Sequence, residues 1–365
     1  MFRRPQRTPI GLDIGTRRIK AVQARIGRGG VIVTASACIP LPTPDAPILP
    51  PVADRIMGTL RRQGFVGEQV VVGMPADRML SGVLDLPPRS SGAPLDMIAR
   101  QELARTSKCE SARLELAWWE LPASSRAGEG THAMAIGCRH EDALPLLDAL
   151  ESAGFDTIAL DAGAAALARS VAPLTGTPPA LTAVLELGWS SAQLLIMHGR
   201  VLVYERVMRE LGIRQLHRQL HEQRNIDSEL ADYLMSAVGC APTVAQHAGR
   251  DDGRGLEQTE DARSVFLAYA DSIANELRVS MSYAQRRFEG TLSRVLITGG
   301  GADAPGIAER IAQRASVEGR VVRTDQIAAC ADGLAPRLLG PGSVCAFGLA
   351  LHGCDVPAEA QEVRA

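Results

Sequence analysis

Two short segments in opposite halves of the chain share one pattern, in which an acidic residue lies two places before a glycine on a strand that turns back. The first is Gly11–Thr16, with Asp13, and the second is Leu185–Ser190, with Glu186. Glycine lets the backbone of such a turn approach a phosphate closely, and the N–H groups and hydroxyls of the turn can donate to it. The nearby carboxylate can hold magnesium through water. Either segment alone also fits a plain tight turn, but the repetition favours two related halves that together bind a phosphate.

A glycine run near the other end of the chain is the next constraint. The apolar strand Val295–Thr298 runs directly into Gly299–Gly301, and a helix is predicted from about Ala304. Three glycines cost backbone entropy, and the sequence shows no structural need for them. Close approach of a flat ligand such as adenosine gives a reason for the run, although a flexible strand-to-helix turn has the same composition. We therefore expect this turn to face a nucleoside.

The composition is that of a folded protein with no general affinity for polyanions. The chain has 365 residues, of which 46% are hydrophobic, and this length predicts about two domains. The formal net charge of -2 gives no global positive field, so we expect no nucleic acid partner. The sequence contains no Walker A motif, which excludes the P-loop mode of phosphate binding.

Cysteine spacing and hydropathy favour a cytoplasmic protein. The 7 cysteines are an odd, scattered set without a CxxC pair, which indicates reduced thiols in a cytosol. Cys138 with His140, and His352 with Cys354, lack the spacing of a zinc site, so core thiols and surface histidines are expected. No run of about 18 apolar residues is present, so we expect that the chain does not cross a bilayer by itself.

Apolar periodicity suggests how the chain is divided. After Pro75 the pattern changes to short strands around Met79–Leu86 and Arg113–Leu121 and a helix around Leu95–Arg105, which indicates a small α+β insertion. The predicted plan is a basic tail at 1–8, a first domain at 9–75 and 154–176 with a C-terminal helix at 343–353, the insertion at 76–153, a second domain at 180–340 and an acidic tail at 354–365.

The order of these motifs resembles one superfamily. A hairpin, then Asp161 before an Ala-rich helix, then a second hairpin and the turn Leu296–Ala302 look like the actin, heat-shock chaperone and sugar kinase superfamily. Four segments resemble the PilM proteins of type IV pilus assembly, which are related to FtsA: Ile10–Thr16, Ile19–Val22, Val70–Pro75 and Phe347–Leu351. The resemblance covers about residues 9–353 and implies an α/β chain with the actin-like, ribonuclease H-like two-domain fold.

The resemblance also implies a function. It implies a cytoplasmic ATP-binding scaffold, with Mg²⁺, in the inner-membrane platform of a type IV pilus or a related type II secretion system. Its partner would be the short N-terminal cytoplasmic peptide of a PilN-like membrane protein, which would hold the scaffold peripherally at the inner membrane, and self-association stays open. The insertion at 76–153 would flank the peptide groove. As an enzyme the protein would be at most a weak ATPase.

Motif matching assigns candidate site residues. The candidate catalytic residues are Asp161, which precedes the connecting helix, and Glu186. The candidate metal ligands are Asp13 and Glu186. The candidate cofactor-binding residues are Asp13, Gly15, Thr16, Arg17, Lys20, Gly188, Ser190, Gly212, Glu276, Gly299, Gly300 and Gly301. Of these, Gly299–Gly301 would contact the adenosine, and Lys20 would face either the phosphates or solvent.

The sequence departs from the family pattern in the second half. Glu186 stands where the pattern usually has Asp, the bulky Trp189 follows the glycine of the second hairpin, and Glu210–Gly212 replaces a Gly-Gly pair. A longer carboxylate and a missing glycine would crowd a nucleotide. A degenerate scaffold that binds no nucleotide is therefore an alternative function.

Two further alternatives come from the same superfamily. A sugar-kinase-type phosphotransferase would use Asp161 or a neighbouring carboxylate as general base, but such kinases are usually longer and have a sugar-contact segment that is not found here. An FtsA-like division protein would end in an amphipathic membrane helix, whereas this sequence ends in an acidic stretch around Pro357–Ala360.

Overall fold

A computed structural model describes residues 6–122, 130–242 and 254–354, with residues 254–258 as backbone only. The strands are β1 Gln6–Arg7, β2 Ile10–Ile14, β3 Arg18–Gly27, β4 Gly30–Pro40, β5 Gln69–Met74, β6 Met79–Leu86, β7 Leu114–Glu120, β8 Thr131–Arg139, β9 Asp156–Ala162, β10 Leu181–Leu187, β11 Ala192–His198, β12 Val201–Met208, β13 Leu292–Thr298, β14 Glu318–Val321 and β15 Ala329–Cys330. The helices are α1 Pro50–Arg62, α2 Leu95–Thr106, α3 His140–Ser152, α4 Gly163–Val171, α5 Ile213–Arg224, α6 Ser228–Ala237, α7 Arg254–Phe288, α8 Ile307–Ala315, α9 Thr324–Ile327 and α10 Val344–Ala350.

The two large sheets repeat one topology. In the first sheet the order is β15-β4-β3-β2-β5-β9, with β1 paired to β3, and in the second it is β12-β11-β10-β13-β14. Each contains an antiparallel run of three strands, β2 to β4 or β10 to β12, whose first strand also pairs in parallel with a later strand. The internal repeat predicted from the two acidic hairpins is therefore present as two sheets of the same strand order.

The third sheet belongs to the α+β insertion predicted after Pro75. Its order is β6-β8-β7, and both pairings are antiparallel. Helix α2 covers one side of it with Ala99, Leu103 and Ala104, which pack into a small core of their own. The insertion also contacts the second large sheet, because the indole N–H of Trp119 donates to the carbonyl of Leu202 on β12 at 2.8 Å.

Helix α10 packs against the first sheet at the point where the first hairpin begins. Gly11 of β2 lies so close to this helix that a Cβ atom there would be 2.0 Å from the carbonyl oxygen of Ala346. On the other side of α10, a Cβ atom on Gly348 would be 1.9 Å from the carbonyl oxygen of Ala166 on α4. Real Cβ atoms do not approach this closely, so the two glycines allow α10, α4 and β2 to form a single packed layer.

The structure adds two short strands to the predicted plan. The basic tail predicted at 1–8 is ordered in part, because Gln6 and Arg7 form β1 and pair with β3. The chain also returns to the first sheet before the predicted helix at 343–353, because Ala329–Cys330 forms β15 and pairs in parallel with β4. The acidic tail lies almost wholly outside the described residues.

None of the cysteines forms a disulfide, and all 7 lie in the described part of the chain. Among the described residues, no helix is both long enough and apolar enough to cross a membrane.

Candidate functional site

A cleft of about 470 Å³ lies between the tips of the two acidic hairpins. Ten of the predicted site residues line it: Asp13, Gly15, Thr16, Arg17, Lys20, Glu186, Gly188, Ser190, Gly300 and Gly301. The fold brings them together because β2 and β10 end at equivalent positions of the two sheets and β13 ends beside β10. Residues from three distant parts of the sequence therefore meet in one cavity.

Four predicted site residues lie outside the lining of this cleft. Asp161 accepts a hydrogen bond from Arg169 at 3.0 Å and lies 3.1 Å from Nδ1 of His352, so it connects α4 to the end of α10. Glu276 of α7 forms an ion pair with Arg206 at 2.7 Å. Gly212 packs under the second hairpin, where a Cβ atom would be 2.6 Å from the carbonyl oxygen of Ser190. Gly299, the fourth, lies at the end of β13.

The glycine run has more structural reasons than the sequence suggested. Gly299 has a φ of 87° and its Cα lies against the backbone of Leu187, so a side chain there would be strained and crowded. A Cβ atom on Gly301 would be 2.7 Å from Cδ1 of Ile213. Only Gly300 has nothing within 4 Å of its Cβ position. The expectation that the run has no structural need is therefore wrong for two of the three glycines, and Gly300 is the one with open space beside it.

The acidic residue of the first hairpin already has a cationic neighbour. Asp13 and Lys20 are opposite each other across β2 and β3, and Nζ of Lys20 is 3.3 Å from a carboxylate oxygen of Asp13. Burial by itself would lower the pKa of Lys20, but the carboxylates of Asp13 and Glu186 outweigh it and raise the pKa to about 12. Lys20 therefore stays charged. It lines the cleft, so of the two predicted orientations it has the one toward the phosphate site.

The second hairpin places a different pair at the equivalent positions. Glu186 lies opposite Gln193 across β10 and β11, so a neutral amide occupies the place of the lysine. Burial, with a smaller contribution from Asp13, raises the pKa of Glu186 to about 7, and Lys20 opposes this shift. The two carboxylates are thus electrostatically coupled across the cleft.

Arg17 connects the two sides of the cleft. Its guanidinium donates to both carboxylate oxygens of Asp232 on α6, at 2.8 and 2.6 Å. It also lies over the ring of Trp189, 4.2 Å from the ring centroid. The Trp189 ring in turn makes an edge contact with His217, at 4.9 Å between centroids. Trp189, which the sequence suggested would crowd a nucleotide, is therefore held between Arg17 and His217 at the cleft wall.

Several polar atoms around the cleft have no hydrogen-bond partner. They are the hydroxyl oxygen of Thr16, the indole nitrogen of Trp189 and the amide oxygen of Gln193, all of which are buried. An unpaired buried polar atom costs free energy, so such atoms beside a cavity indicate that a polar ligand or water completes the site. The glycine hairpins, the charged side chains and these unpaired atoms fit a nucleotide with its phosphates between the hairpins.

The fit to a metal ion is less complete. Asp13 and Glu186 are the predicted ligands, but the described residues contain no group of three or more His, Cys, Asp or Glu side chains that could hold a metal. Mg²⁺ usually keeps several waters and is bound through one or two carboxylates and phosphates of the substrate. The two carboxylates therefore suit a magnesium ion that arrives with the nucleotide.

Sequence reasoning missed one wall of the cleft. Asp232, Tyr233, Met235 and Ser236 of α6 line it, on the side of the second sheet. The sequence predicts a helix here, and Asp227 caps it by accepting a hydrogen bond from the backbone of Leu230. Nothing local in the sequence shows that this helix folds over the cleft, since that depends on packing between segments far apart in the chain.

A smaller groove of about 180 Å³ lies on the other side of the first hairpin. It is bounded by the hairpin tip, by the Pro-rich segment after β4 and by α3 of the insertion. Its apolar lining includes Leu41, Ile48 and Leu146, and its charged lining is Asp45, Arg78, Glu141 and Asp142. The groove is therefore apolar at its base and carries more acidic than basic groups.

Comparison with solved structures identifies the fold. The sequence matches no protein-family model and no curated protein. A chain of the PilM-PilN type IV pilus biogenesis complex is similar to this protein with a TM-score of 0.74 and 22% identity, over 95% of this chain and 99% of that one. The ethanolamine utilization protein EutJ from Carboxydothermus hydrogenoformans is similar with a TM-score of 0.52 and 14% identity, over 96% of this chain and 91% of that one. The chain therefore has the predicted actin-like two-domain fold, in the form found in the PilM-PilN complex.

Proposed function

We propose that the protein is an ATP-binding scaffold in the inner-membrane platform of a type IV pilus or a related type II secretion system. It would be cytoplasmic and bound to the membrane through a PilN-like protein. The observation that carries the nucleotide part is the cleft between the two glycine hairpins, with its charged lining and unpaired polar atoms. The partner part is supported by the likeness in fold to a chain of the PilM-PilN complex along nearly the whole sequence.

We assign roles in the cleft by position. The backbone of Gly15 and Gly188 and the hydroxyls of Thr16 and Ser190 would donate to phosphates, and Lys20 would neutralise them. Gly300 leaves open space for the adenosine. We also keep the domain plan derived from the sequence as a proposal, with 9–75 and 154–176 as the first domain, 180–340 as the second and 76–153 as the insertion, and with Ala329–Cys330 added to the first sheet.

Any hydrolysis would be slow. A general base must lie within hydrogen-bond reach of the water it activates, directly or through one further water. Asp161 is 11% exposed and its carboxylate is engaged by Arg169 and His352, and it does not line the cleft. Glu186 lines the cleft and is the remaining candidate base. Mg²⁺ that enters with the nucleotide would be held by Asp13 and Glu186 and would stabilise the negative charge of the phosphates.

The nucleotide proposal is tested by ligand-dependent thermal unfolding. At a hundredfold excess over Kd, ATP with Mg²⁺ should stabilise the folded protein by about 2.7 kcal/mol. Gly300→Val should abolish the effect because its side chain would enter the cleft, where a Cβ atom meets nothing within 4 Å. Gly29→Val is the matched control, since Gly29 also has nothing within 4 Å but lies in the turn between β3 and β4. No shift in the wild type at millimolar ATP would contradict the proposal.

A nucleotide-free scaffold is the second candidate, and one observation favours it. The cations that would meet phosphates are engaged in ion pairs, Lys20 with Asp13 and Arg17 with Asp232. Such internal pairing is what a cleft that has lost its ligand would contain. The thermal unfolding experiment separates the two candidates, because the degenerate scaffold gives no shift with ATP in any variant.

We propose that the smaller groove beside the first hairpin binds the partner peptide. Its apolar base suits an apolar side chain of an extended peptide, and the excess of acidic groups at its rim suits a basic residue beside it. The insertion contributes α3 to one side of the groove, which gives the inserted segment 76–153 a role in binding.

Peptide binding is tested with labelled N-terminal peptides of single-span membrane proteins encoded next to this one. Ala46→Trp should weaken binding by filling the groove, since Ala46 lines it and is partly exposed. Leu144→Glu is the control, because Leu144 is on α3 but 51% exposed and outside the groove. If no peptide binds at tens of micromolar, the partner proposal is wrong. That result does not affect the nucleotide proposal, which the thermal unfolding experiment tests independently.

A further inference from the structure

Four side chains form a contact network across the mouth of the cleft, which we call the clasp: Arg17, Trp189, His217 and Asp232. Arg17 lies in the turn between β2 and β3 of the first sheet. The other three lie on the opposite side, in the turn between β10 and β11, on α5 and on α6. The bidentate ion pair between Arg17 and Asp232 therefore joins the two sides of the nucleotide cleft directly.

The cleft lining has three cationic and three acidic side chains, whose charges balance when Glu186 is ionised. Arg17, Arg18 and Lys20 are its cations, and Asp13, Glu186 and Asp232 are its anions. A polyphosphate adds several negative charges, so binding it without a change of partners would leave anions facing anions. A cation that leaves its carboxylate for the phosphate would reduce this repulsion, in addition to the Mg²⁺ that arrives with the nucleotide.

Arg17 is the cation best placed to change partners. Its side chain is 24% exposed and that of Asp232 is 35% exposed, so solvent reaches both and can replace the lost contact. The planar guanidinium fork that binds the carboxylate at two points binds a phosphate in the same way. Asp232 would also keep a neighbour, because Nε2 of His217 lies 3.4 Å from its Oδ1 atom.

Trp189 gives the guanidinium a fixed platform during this exchange. The guanidinium lies 4.2 Å from the centroid of the ring, a distance at which the ring face attracts a cation. The indole N–H of Trp189 is buried and has no acceptor, so a phosphate oxygen that reaches Arg17 would also find this unpaired donor. The platform and the donor come from the same residue.

We propose that the ion pair between Arg17 and Asp232 is a clasp that a polyphosphate opens, with Arg17 moving from Asp232 to the terminal phosphate. This inference rests on the proposed nucleotide binding and adds regulation to it. In the empty protein the pair joins α6 to the first hairpin, and in the bound protein α6 is released from it. Nucleotide occupancy would then change the position of α6 and of the surface next to it.

The test is a double-mutant cycle on the Kd for ATP with Mg²⁺. Asp232→Asn removes the competitor of the phosphate and should tighten binding about fivefold or more, whereas Arg17→Ala should weaken it by a similar factor. In the Arg17→Ala background, Asp232→Asn should change the Kd little, because Asp232 acts through Arg17. Asp271→Asn is the matched control, since Asp271 also forms a bidentate pair, with Arg310 at 2.7 Å, but does not line the cleft.

A spectroscopic readout reports the exchange itself. Trp118→Phe with Trp119→Phe leaves Trp189 as the remaining tryptophan of 3. Its fluorescence should change on addition of ATP, and should not change in the Arg17→Ala variant. If the double substitution lowers stability, the same ATP titration is made on the protein with all 3 tryptophans, with and without Arg17→Ala.

The outcomes are distinct. If the wild type binds ATP and Asp232→Asn gives the same Kd, or tightens binding equally without Arg17, the clasp is wrong and the proposed function stands. If the wild type and every variant fail to bind ATP, the proposed function is wrong and the clasp falls with it. Tighter binding that depends on Arg17 supports both.

Discussion

Glu186 shows how one residue can set the chemistry of the cleft. It stands at the place in the second hairpin that Asp13 occupies in the first, but its hairpin partner is Gln193 and not a lysine. Burial raises the pKa of Glu186 from an ordinary value of 4.5 to about 7. Near neutral pH this side chain is therefore close to the midpoint of its titration, and the net charge of the empty cleft depends on pH.

The raised pKa of Glu186 predicts a pH-dependent stability. Between the ordinary pKa of 4.5 and a pH of about 7, the folded protein holds a proton that the unfolded chain has released. The free energy of unfolding should therefore fall as the pH rises through this range. Glu186→Gln should remove that fall and stabilise the empty protein at pH 8 by on the order of 2 kcal/mol, with little effect at pH 5. Urea unfolding at both pH values measures the difference.

The matched control for this prediction is Glu222→Gln. Glu222 is on α5, its side chain is 63% exposed, and its ion pair with Arg218 is long, at 3.8 Å. Its substitution should leave the pH dependence as in the wild type, because an exposed pair contributes little to stability. A Glu186→Gln protein with the wild-type pH profile would show that Glu186 is not held neutral in the fold.

At the scale of elements, α10 depends on close contact with its neighbours. A Cβ atom on Gly348 would lie 1.9 Å from the carbonyl oxygen of Ala166 and 2.5 Å from the hydroxyl of Ser170. In an exposed helix, alanine in place of glycine would be stabilising by about 1 kcal/mol. Here the helix cannot gain that benefit without moving away from α4.

Gly348→Ala should therefore be destabilising. We expect a loss of about 3 kcal/mol in the free energy of unfolding, because α10 must move away from α4 and is already in close contact with Gly11 of β2 on its other side. Gly163→Ala is the control, because Gly163 lies on α4 and also faces α10. Its Cβ atom would meet only the Sγ atom of Cys345, at an ordinary van der Waals distance of 3.7 Å. Chemical unfolding followed by circular dichroism compares the two, and equal stability of both variants would contradict the close packing.

The elements differ in how far the sequence could predict them. Strand β6 has the predicted bounds Met79–Leu86, and α2 differs from the predicted helix at Leu95–Arg105 by one residue, since local periodicity determines both. The two hairpins were recognisable for the same reason, because in each the acidic residue, the glycine and the returning strand lie within a short stretch of sequence. The position of α6 over the cleft and the pairing of β15 with β4 depend on contacts between distant segments, which leave no local pattern.

The site residues also differ in whether a local sequence pattern or a contact between distant segments places them. The sequence predicts the site residues at the hairpin tips, because each turn consists of a few consecutive residues. Asp161 was expected to act in the cleft because it precedes a connecting helix, but its carboxylate binds Arg169 and His352. Both partners follow it in sequence at distances that only the packing of α4 and α10 makes short.

At the scale of the whole molecule, side-chain contacts join the parts that the cleft separates. Arg17 binds Asp232, and Arg214 of α5 forms an ion pair with Asp45 at 2.7 Å. The backbone N–H of Asp45 also donates to the carbonyl of Thr16 at 2.6 Å, so this second pair acts on the first hairpin. The insertion adds a third connection through Trp119 and the carbonyl of Leu202. These polar contacts act together with the apolar core that α4 and α10 share with the second sheet.

The connection made by Trp119 can be tested separately from ligand binding. Trp119→Phe keeps the apolar contact and removes the N–H donor, which leaves the carbonyl of the buried Leu202 without that donor and should cost about 1–2 kcal/mol. Trp118→Phe is the matched control, because Trp118 donates to Asp96 within the insertion, at 2.7 Å and near solvent. Since β12 is the outer strand of its sheet and receives this bond from the insertion, hydrogen exchange in β12 should rise in Trp119→Phe and not in Trp118→Phe. Unchanged exchange in both would mean that this hydrogen bond does not protect β12, and that the other contacts between the insertion and the second sheet, such as the bond from Arg209 to the carbonyl of Asp77 at 2.7 Å, are sufficient.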